Sequence, residues 1–316
     1  MHRKIKIYYG ENQLVPRSEL VILFGKLDCK YYAGNPLLTF NYQDRFRNTK
    51  ELCNNLWSYT KSQSDADIFV YPKKFIDLED KHLLHFTESA GRLGKKVLAF
   101  TIDDNGEQFA LPDNLFLFRT SLDSRVKTAR EYAMPAFTAD YYNSNLFLLN
   151  NNSIGYCGHT NHGRLKALDA LKVANLNYDF IIRDGFWAPE IVDKERAKED
   201  FINNIKRNLM TFCMRGAGNF SYRFYETLMM ARIPFLLDTH CVLPFFDEVK
   251  SKLTMIQITI EELQRPKVVD SLLDRLSVLS QSDLLFSQLE NRMIWQNFFS
   301  PCGFLKNVDK LIRSLI

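Results

Sequence analysis

Short apolar runs alternate with amphipathic stretches along the first half of the chain. The apolar runs have the length and the β-branched or aromatic content of strands, and they are Lys4–Tyr9, Ala66–Tyr71, Lys96–Ile102 and Asn114–Arg119. The stretches Glu51–Thr60 and Asp80–Leu93 follow the helical period, and Pro72 is expected to end the second strand. Strands that alternate with helices predict a parallel sheet, because a parallel connection requires a crossover.

The same alternation starts again after a break between Met134 and Asn152, where Pro135 and a polar run interrupt the pattern. The predicted strands are Ser153–Tyr156, Tyr178–Arg183, Leu209–Met214, Pro234–Leu237 and Thr254–Ile258. The predicted helices are Gly163–Val173, Pro189–Arg207, Tyr222–Arg232, Pro266–Leu279, Asp283–Phe298 and Phe304–Leu315. We therefore predict an α/β protein with two Rossmann-like lobes, residues 1–143 and 152–300, that face a central cleft at the carboxyl ends of both sheets.

The composition is that of a globular protein of 316 residues, with 46% hydrophobic and 25% charged residues. A net charge of +4 without a Lys/Arg block argues against a nucleic-acid partner and suits a small anionic ligand. No run reaches the roughly 18 apolar residues of a membrane span, and no apolar core of a signal peptide follows the first residues. We expect a cytoplasmic protein whose scattered cysteines are buried thiols, namely Cys29, Cys53, Cys157, Cys213, Cys241 and Cys302.

A glycine-rich turn joins a predicted strand to a predicted helix in the segment Cys213–Asp238. The loop is Arg215–Asn219, and its two glycines let the backbone turn tightly and approach a ligand. Ser221 is expected to cap the helix, whose free N–H groups would face the ligand. Such a helix N-terminus is an anion site, and it predicts that a phosphate binds here.

Arg223 and Glu226 lie three residues apart on one face of that helix. An arginine fork suits a diphosphate, and a carboxylate one turn later can accept from both hydroxyls of a ribose. With Arg215, Asn219 and Ser221, they predict a clamp for a sugar nucleotide. The alternative is an exposed helical ion pair, which contributes little to stability.

A second glycine-containing loop, Gly155–Arg164, follows the first strand of the second half. This loop predicts that its backbone and Arg164 face a ligand. Arg183, at the end of another predicted strand, is a further candidate cation for a phosphate. The alternative for both is an ordinary surface arginine. Cys157, His159 and His162 do not predict a zinc site, because no fourth ligand stands at the spacing of a metal site.

Asp65 and Asp67 match the D-x-D pattern that binds a divalent metal in single-lobe glycosyltransferases. That pattern should follow a strand, whereas here it precedes the strand at Ala66–Tyr71. We therefore interpret it as a turn or capping element, and we expect no metal site.

The segment GNFSYRFYETLMMARIPFLLDTHCVLPFFDEV, Gly218–Val249, resembles the exostosin-like glycosyltransferases. The shared order is S-x-R-x-x-E, then I-P, an acidic residue and L-P-F. The resemblance covers about residues 154–301, including IGYCGHTNHGR, IIRDGFW and ENRMIWQNFFSP, with weaker matches in SDADIFVYP and FRTS. The chain is similar to the shorter bacterial or viral forms.

The resemblance implies a GT-B fold and the transfer of a hexosyl or pentosyl group from a UDP-sugar to a glycan acceptor in polysaccharide biosynthesis. It also implies that the transfer inverts the anomeric centre and requires neither a metal ion nor a cofactor. It implies that Arg215, Ser221, Arg223 and Glu226 bind the donor, with Arg164 and Arg183 as supporting cations. It further implies that residues 1–143 form the acceptor-side lobe, that residues 152–300 bind the nucleotide sugar, and that residues 301–316 pack back on the first lobe.

A transferase needs a general base for the acceptor hydroxyl. The candidates are Asp103 and Asp104, after the strand Lys96–Ile102, and Glu11, after the first strand; ordinary turn acids remain the alternative for each. An epimerase would carry G-x-G-x-x-G after the first strand, which the chain lacks. A catalytically inactive sugar- or nucleotide-binding scaffold of glycan assembly is the second hypothesis.

Overall fold

A computed structural model describes residues 3–10, 46, 48–143, 148–161, 163–172, 176–183 and 194–316. The chain divides into two compact units. The first unit consists of Met1–Ala139, Val242–Pro244 and Asn297–Ile316, and the second of Asp140–Cys241 and Phe245–Gln296.

The first unit is built around a six-stranded parallel sheet. Its elements are β1 (Ile5–Tyr8), α1 (Thr49–Leu56), β2 (Trp57–Tyr59), β3 (Ile68–Lys74), α2 (Lys81–Arg92), β4 (Val97–Thr101), β5 (Leu115–Arg119) and β6 (Glu131–Ala133). The strand order is β2-β1-β3-β4-β5-β6. All five residues of β4 are buried, as expected for a strand covered on both faces.

The second unit contains a five-stranded parallel sheet. Its elements are β7 (Ser153–His159), α3 (Arg164–Leu171), β8 (Asn177–Arg183), α4 (Lys194–Arg207), β9 (Met210–Cys213), α5 (Tyr222–Met229), β10 (Ile233–Leu237), α6 (Phe246–Val249), β11 (Ile256–Ile258), α7 (Ile260–Leu263), α8 (Pro266–Ser277) and α9 (Gln281–Ile294). The strand order is β11-β10-β9-β7-β8, so the order reverses between β7 and β9.

After α9 the chain forms a π-helical turn, Trp295–Phe299, and ends in α10 (Pro301–Leu315). Ser300 caps α10 by accepting from the N–H of Gly303, and Pro301 stands in its first turn, where its missing N–H costs nothing. The apolar face of α10 packs on the first unit, with Phe304 edge-on to Phe118 at 5.8 Å between ring centroids. The chain therefore returns to the first unit because α10 buries its apolar face there.

The prediction of two Rossmann-like α/β lobes is confirmed, whereas the cleft stays a prediction. Some local predictions were wrong. The predicted helix Glu51–Thr60 ends at Leu56, because Trp57 is buried and pairs with Ile5 at the sheet edge. Pro72 does not end β3; the strand continues to Lys74 past a register shift, which accommodates a proline that cannot donate to the ladder.

Candidate functional site

The carboxyl ends of β7 and β9 form a topological switch point in the second unit, because the strand order reverses between them. In open α/β sheets, ligands bind outside the carboxyl ends of the strands at such a point. The loops that leave β7 and β9 are the two glycine-containing loops singled out in the sequence. The topology therefore brings both loops to one edge of the sheet.

Ser221 lies at the start of α5 with the extended backbone of an N-cap residue, φ −129° and ψ 118°. Its side chain accepts no capping hydrogen bond. The residue is only 7% exposed, and its hydroxyl has no hydrogen-bond partner among the described residues. A buried polar group without a partner costs free energy, so an acceptor or donor from a ligand at this helix N-terminus would satisfy it.

Three contacts fix the guanidinium of Arg223. Its Nη1 lies 2.5 Å from Glu226 Oε2, and its Nη2 donates to the carbonyl oxygen of Cys157 at 2.8 Å. The guanidinium carbon lies 3.9 Å from the centroid of the Phe201 ring. Because the Arg223 and Glu226 side chains are 27% and 13% exposed, the pair is more enclosed than an ordinary surface ion pair. The guanidinium is thus oriented before any ligand arrives.

Arg164 joins the two loops of the switch point. Its Nε and Nη2 donate to the carbonyl oxygen of Arg215 at 3.3 and 3.0 Å, and its Nη1 donates to that of His159 at 3.3 Å. Gly216 permits this approach, because a Cβ there would lie 3.3 Å from Arg164 Nη2. Arg164 therefore supports the shape of the site, while its role as a phosphate ligand stays a prediction.

Arg215 and Asn219 shape the loop that precedes α5. Arg215 Nη2 donates to the carbonyl oxygen of Ala217 at 2.6 Å, so its charge stays within the loop. Asn219 is buried, and its Oδ1 accepts from the hydroxyl of Thr239 at 2.7 Å. Thr239 follows β10, so this hydrogen bond ties the loop after β9 to the neighbouring strand.

Arg183 stands at the end of β8, opposite His159 in the ladder. Its Nη2 donates to the carbonyl oxygen of Ala197 at 2.6 Å and lies 3.7 Å from Asp200, both on α4. Within the described ranges, no hydrogen bond connects Arg183 with Arg223 or Glu226. The structure thus joins Arg164 to the backbone of Arg215, places Arg223 against Cys157 of β7, and directs Arg183 towards α4.

The residues considered for zinc have other roles. His159 Nδ1 accepts from the N–H of Asn161 at 3.0 Å, and burial raises the pKa of the Cys157 thiol. His162 lies outside the described residues. Across the part of the chain that the structure describes, no three His, Cys, Asp or Glu side chains cluster as metal ligands.

Asp103 and Asp104 follow β4 in the first unit, and Glu11 lies outside the described residues. The Asp103 carboxylate accepts from the Thr101 hydroxyl at 2.5 Å and from the N–H of Asn105 at 3.1 Å, and it lies 3.7 Å from Lys74 Nζ. Asp103 is half-buried and Asp104 is exposed. Of the two, Asp104 offers the more accessible carboxylate.

Three consecutive side chains at the end of β5 and just after it hold the loop that carries these acids. Arg119 donates to the carbonyl oxygens of Asn105 and Glu107, the Thr120 hydroxyl donates to that of Asp103 at 3.0 Å, and the Ser121 hydroxyl to that of Asp104 at 3.4 Å. Arg119 also pairs with Glu131 at 3.0 Å, and both side chains are 1% exposed. A buried, hydrogen-bonded ion pair thus anchors the loop.

Asp67 of the D-x-D pattern accepts from the backbone N–H of Lys6 at 2.7 Å and from the guanidinium of Arg3 at 2.5 Å. Burial opposes the ionisation of Asp67, but these two hydrogen bonds hold its pKa below the ordinary value. The carboxylate therefore joins the start of β1 to the start of β3, which agrees with the interpretation as a turn element.

Several contacts of the site were not predicted. Phe201 under Arg223, the carbonyl of Cys157 and the hydroxyl of Thr239 have no sequence pattern, because each depends on distant segments meeting. The structural role of Arg119, in the weakly matching segment FRTS, could have been predicted, because a charged residue that ends an otherwise apolar strand must find a buried partner.

No protein-family model matches the chain, and no curated protein matches it either. Similar solved structures include a glycosyltransferase from Rickettsia africae ESF-5, at 10% identity and a TM-score of 0.44 over 99% of each chain. Another is Alr3699/HepE of Anabaena, solved with UDP-glucose, at 9% identity and a TM-score of 0.45 over 98% of this chain and all of that one. A third is CalG4, the calicheamicin glycosyltransferase, at 9% identity and a TM-score of 0.39 over 99% of each chain. Likeness at this level assigns no activity to the present chain.

Among the described helices, none is both long enough and apolar enough to cross a membrane.

Proposed function

We propose that this protein is a GT-B glycosyltransferase that moves a sugar from a UDP-sugar to a hydroxyl of a glycan acceptor, with inversion and without a metal ion. One observation carries the proposal: a buried hydroxyl without a described partner, an oriented guanidinium and a carboxylate occupy the first turn and a half of one helix at a switch point. They are Ser221, Arg223 and Glu226. Uridine as the base follows from the resemblance to exostosin-like enzymes.

The donor would bind with its diphosphate at the N-terminus of α5. The free N–H groups there and the Ser221 hydroxyl supply neutral donors, and Arg223 supplies a fixed positive charge. Glu226 accepts from the ribose hydroxyls while it remains paired with Arg223. Because Phe201 and Cys157 already orient Arg223, little side-chain entropy is lost when the donor binds.

The reaction is a single in-line displacement. The acceptor oxygen forms a bond to the anomeric carbon as the bond from that carbon to the diphosphate oxygen breaks, and the diphosphate takes the electron pair. Arg223 and the α5 N-terminus stabilise the negative charge that develops on the leaving group. One displacement inverts the configuration of the anomeric carbon.

The acceptor hydroxyl loses its proton to a carboxylate of the first unit. Asp104 is the proposed base, since its side chain is exposed, whereas that of Asp103 is half-buried. Arg119, Thr120 and Ser121 hold the loop of Asp104 by its carbonyl oxygens, so the carboxylate is presented from a fixed backbone.

A donor screen tests the proposal. The full chain is incubated with a panel of UDP-sugars and sugar acceptors, and the release of UDP is measured with and without EDTA. The proposal predicts UDP release that EDTA does not reduce, an inverted anomeric centre in the product by NMR, and loss of turnover with retained UDP binding in Asp104→Asn. Binding of UDP without turnover on any acceptor would favour the inactive scaffold, and absence of both binding and turnover would refute the nucleotide-sugar site.

A further inference from the structure

A cavity of about 420 Å³ lies in the first unit, at the edge of the sheet where the strands begin. Its walls include the residues that precede or start β1, β3 and β4, together with the end of α10. A cavity of this volume can hold a small molecule. Since Asp103 and Asp104 follow the carboxyl end of β4, the cavity and the candidate catalytic loop lie at opposite edges of the sheet, and the lining residues all belong to the first unit.

Basic side chains dominate the walls of this cavity. These basic side chains come from three segments far apart in the sequence. They belong to Arg3, Lys4, Lys95, Lys96 and Arg313. Asp67 is the acidic side chain among the lining residues. Like charges brought this close repel each other, and an excess of positive charge in the walls of a cavity attracts anions.

Carboxylates neutralise only part of this charge. Asp67 pairs with Arg3 at 2.5 Å, and Asp309 pairs with Arg313 at 2.8 Å. The ammonium of Lys4 donates at 2.6 Å to a neutral acceptor, the carbonyl oxygen of Asn54. The charge of Lys95 also helps to lower the pKa of Asp67, whereas the ammonium groups of Lys4 and Lys96 have no carboxylate partner in the described ranges.

The ammonium groups of Lys95 and Lys96 have no direct contact with a described acceptor. Both are half-buried, and neither side chain makes a hydrogen bond or ion pair to any residue that the structure describes. Lys96 Nζ lies 5.9 Å from the centroid of the Phe116 ring, which is a weak contact. A partly desolvated ammonium without an acceptor is unfavourable, and an anion in the cavity would remove that cost.

We propose that this cavity is a second anion site, independent of the proposed transferase function, which binds a ligand with a phosphate group carrying two or more negative charges. Lys95 and Lys96 bind it directly, and Arg3 and Arg313 complete the positive wall. Arg313 Nη1 donates to the carbonyl oxygen of Arg3 at 3.1 Å, so the Arg313 side chain is anchored to the backbone just before β1.

Calorimetric titration of the full chain with inorganic pyrophosphate tests the site. The test variant is Lys95→Gln/Lys96→Gln. The matched control is Lys81→Gln/Arg92→Gln, which removes the same charge from exposed positions of α2 in the same unit. We expect the test variant to bind pyrophosphate about tenfold more weakly at this site, and the control to bind like the wild type.

Arg223→Ala separates this site from the proposed donor site. Pyrophosphate binding that survives Arg223→Ala and is lost in Lys95→Gln/Lys96→Gln supports the cavity site, whatever the result for the donor site. The cavity site is overturned if Arg223→Ala alone abolishes pyrophosphate binding, or if the test variant and the Lys81→Gln/Arg92→Gln control weaken it equally.

Co-sedimentation with vesicles distinguishes a lipid headgroup from a free phosphate. Phosphatidylglycerol vesicles are compared with phosphatidylcholine vesicles, using the same two double variants. Selective loss of sedimentation with phosphatidylglycerol in Lys95→Gln/Lys96→Gln supports the site with a lipid as the source of the phosphate. Pyrophosphate binding without sedimentation supports it with a soluble ligand, and neither pyrophosphate binding nor sedimentation in the wild type overturns it.

Discussion

Arg223 donates to the carbonyl oxygen of Cys157 at 2.8 Å, although 66 residues separate them in the chain. The hydrogen bond runs from the first turn of α5 to the carboxyl-terminal part of β7, across the point where the strand order reverses. It fixes the guanidinium relative to both strands of the switch point. A donor that binds there meets a cation that is already in position.

Arg223→Lys is expected to weaken UDP binding about tenfold or more. Lysine keeps the charge but cannot contact Glu226, Cys157 and a diphosphate through one planar fork. Calorimetric titration with UDP measures the effect. Arg265→Lys, at an exposed position of the same unit, is the matched control, and equal affinities in both variants would remove Arg223 from the site.

Ser221→Ala is expected to weaken UDP binding without lowering the stability of the protein. A helix cap that accepts a hydrogen bond contributes about 1 kcal/mol, but the Ser221 side chain accepts none at the start of α5. The unfolding midpoint without ligand should therefore not fall, whereas UDP binding should weaken by about 1 kcal/mol, or roughly fivefold. A drop in the midpoint with unchanged UDP affinity would make Ser221 a structural cap.

The local part of the site could be predicted from the sequence, and the long-range part could not. The loop Arg215–Asn219 and the pair Arg223 and Glu226 follow from glycines, helical spacing and the strand that precedes them. The ring of Phe201 under Arg223 depends on how α4 packs, and no spacing encodes that. For Arg164 the sequence indicated a position near a ligand, but not its hydrogen bonds to two backbone carbonyls.

Asp179→Asn is expected to lower stability in a pH-dependent way. The hydrogen bonds from Arg207 at 2.6 and 2.8 Å, with one from Asn208, lower the pKa of Asp179 on β8. A lowered folded-state pKa stabilises the protein above the unfolded pKa, near 3.9, and this contribution is lost as the pH falls through the folded value.

The loss at pH 7 should be about 0.5–1 kcal/mol, because Arg207 is half exposed and solvent screens the pair. Urea unfolding of both proteins at pH 7 and pH 3 measures it, and the difference should shrink at pH 3. Asp169→Asn, which breaks an exposed pair with Lys172 in the same unit, is the control and should change little. A difference that persists undiminished at pH 3 would contradict the role of the ionised carboxylate.

Glu131→Gln is expected to destabilise the first unit by about 3–5 kcal/mol, because it leaves the Arg119 guanidinium buried without its carboxylate. Asp113→Asn breaks an exposed pair with Arg130 in the same unit and should cost far less. Thermal unfolding of both variants measures the difference. Equal shifts would mean that burial of the Arg119–Glu131 pair contributes nothing specific.

The strands, like the site, were predicted where their own sequence determines them and missed where they depend on distant partners. Long apolar runs such as β4 and β10 were predicted close to their observed bounds, because every residue in them is buried. Whereas β11, equally short, was predicted within Thr254–Ile258, the three-residue strands β2 and β6 were missed. Trp57 and Glu131 lie in these strands because of partners elsewhere, Asp309 and Arg119.

The central claim is that the α5 site binds a nucleoside diphosphate through its ribose as well as its phosphates. Calorimetric titration of UDP and GDP against the wild type and Glu226→Ala tests this most directly, with Glu199→Ala on an exposed face of α4 as control. The account predicts that UDP binds the wild type and the control alike, and that Glu226→Ala loses at least about tenfold in affinity. Wild-type protein that binds neither diphosphate at millimolar concentration, or a Glu226→Ala variant that binds UDP like the wild type, would contradict it.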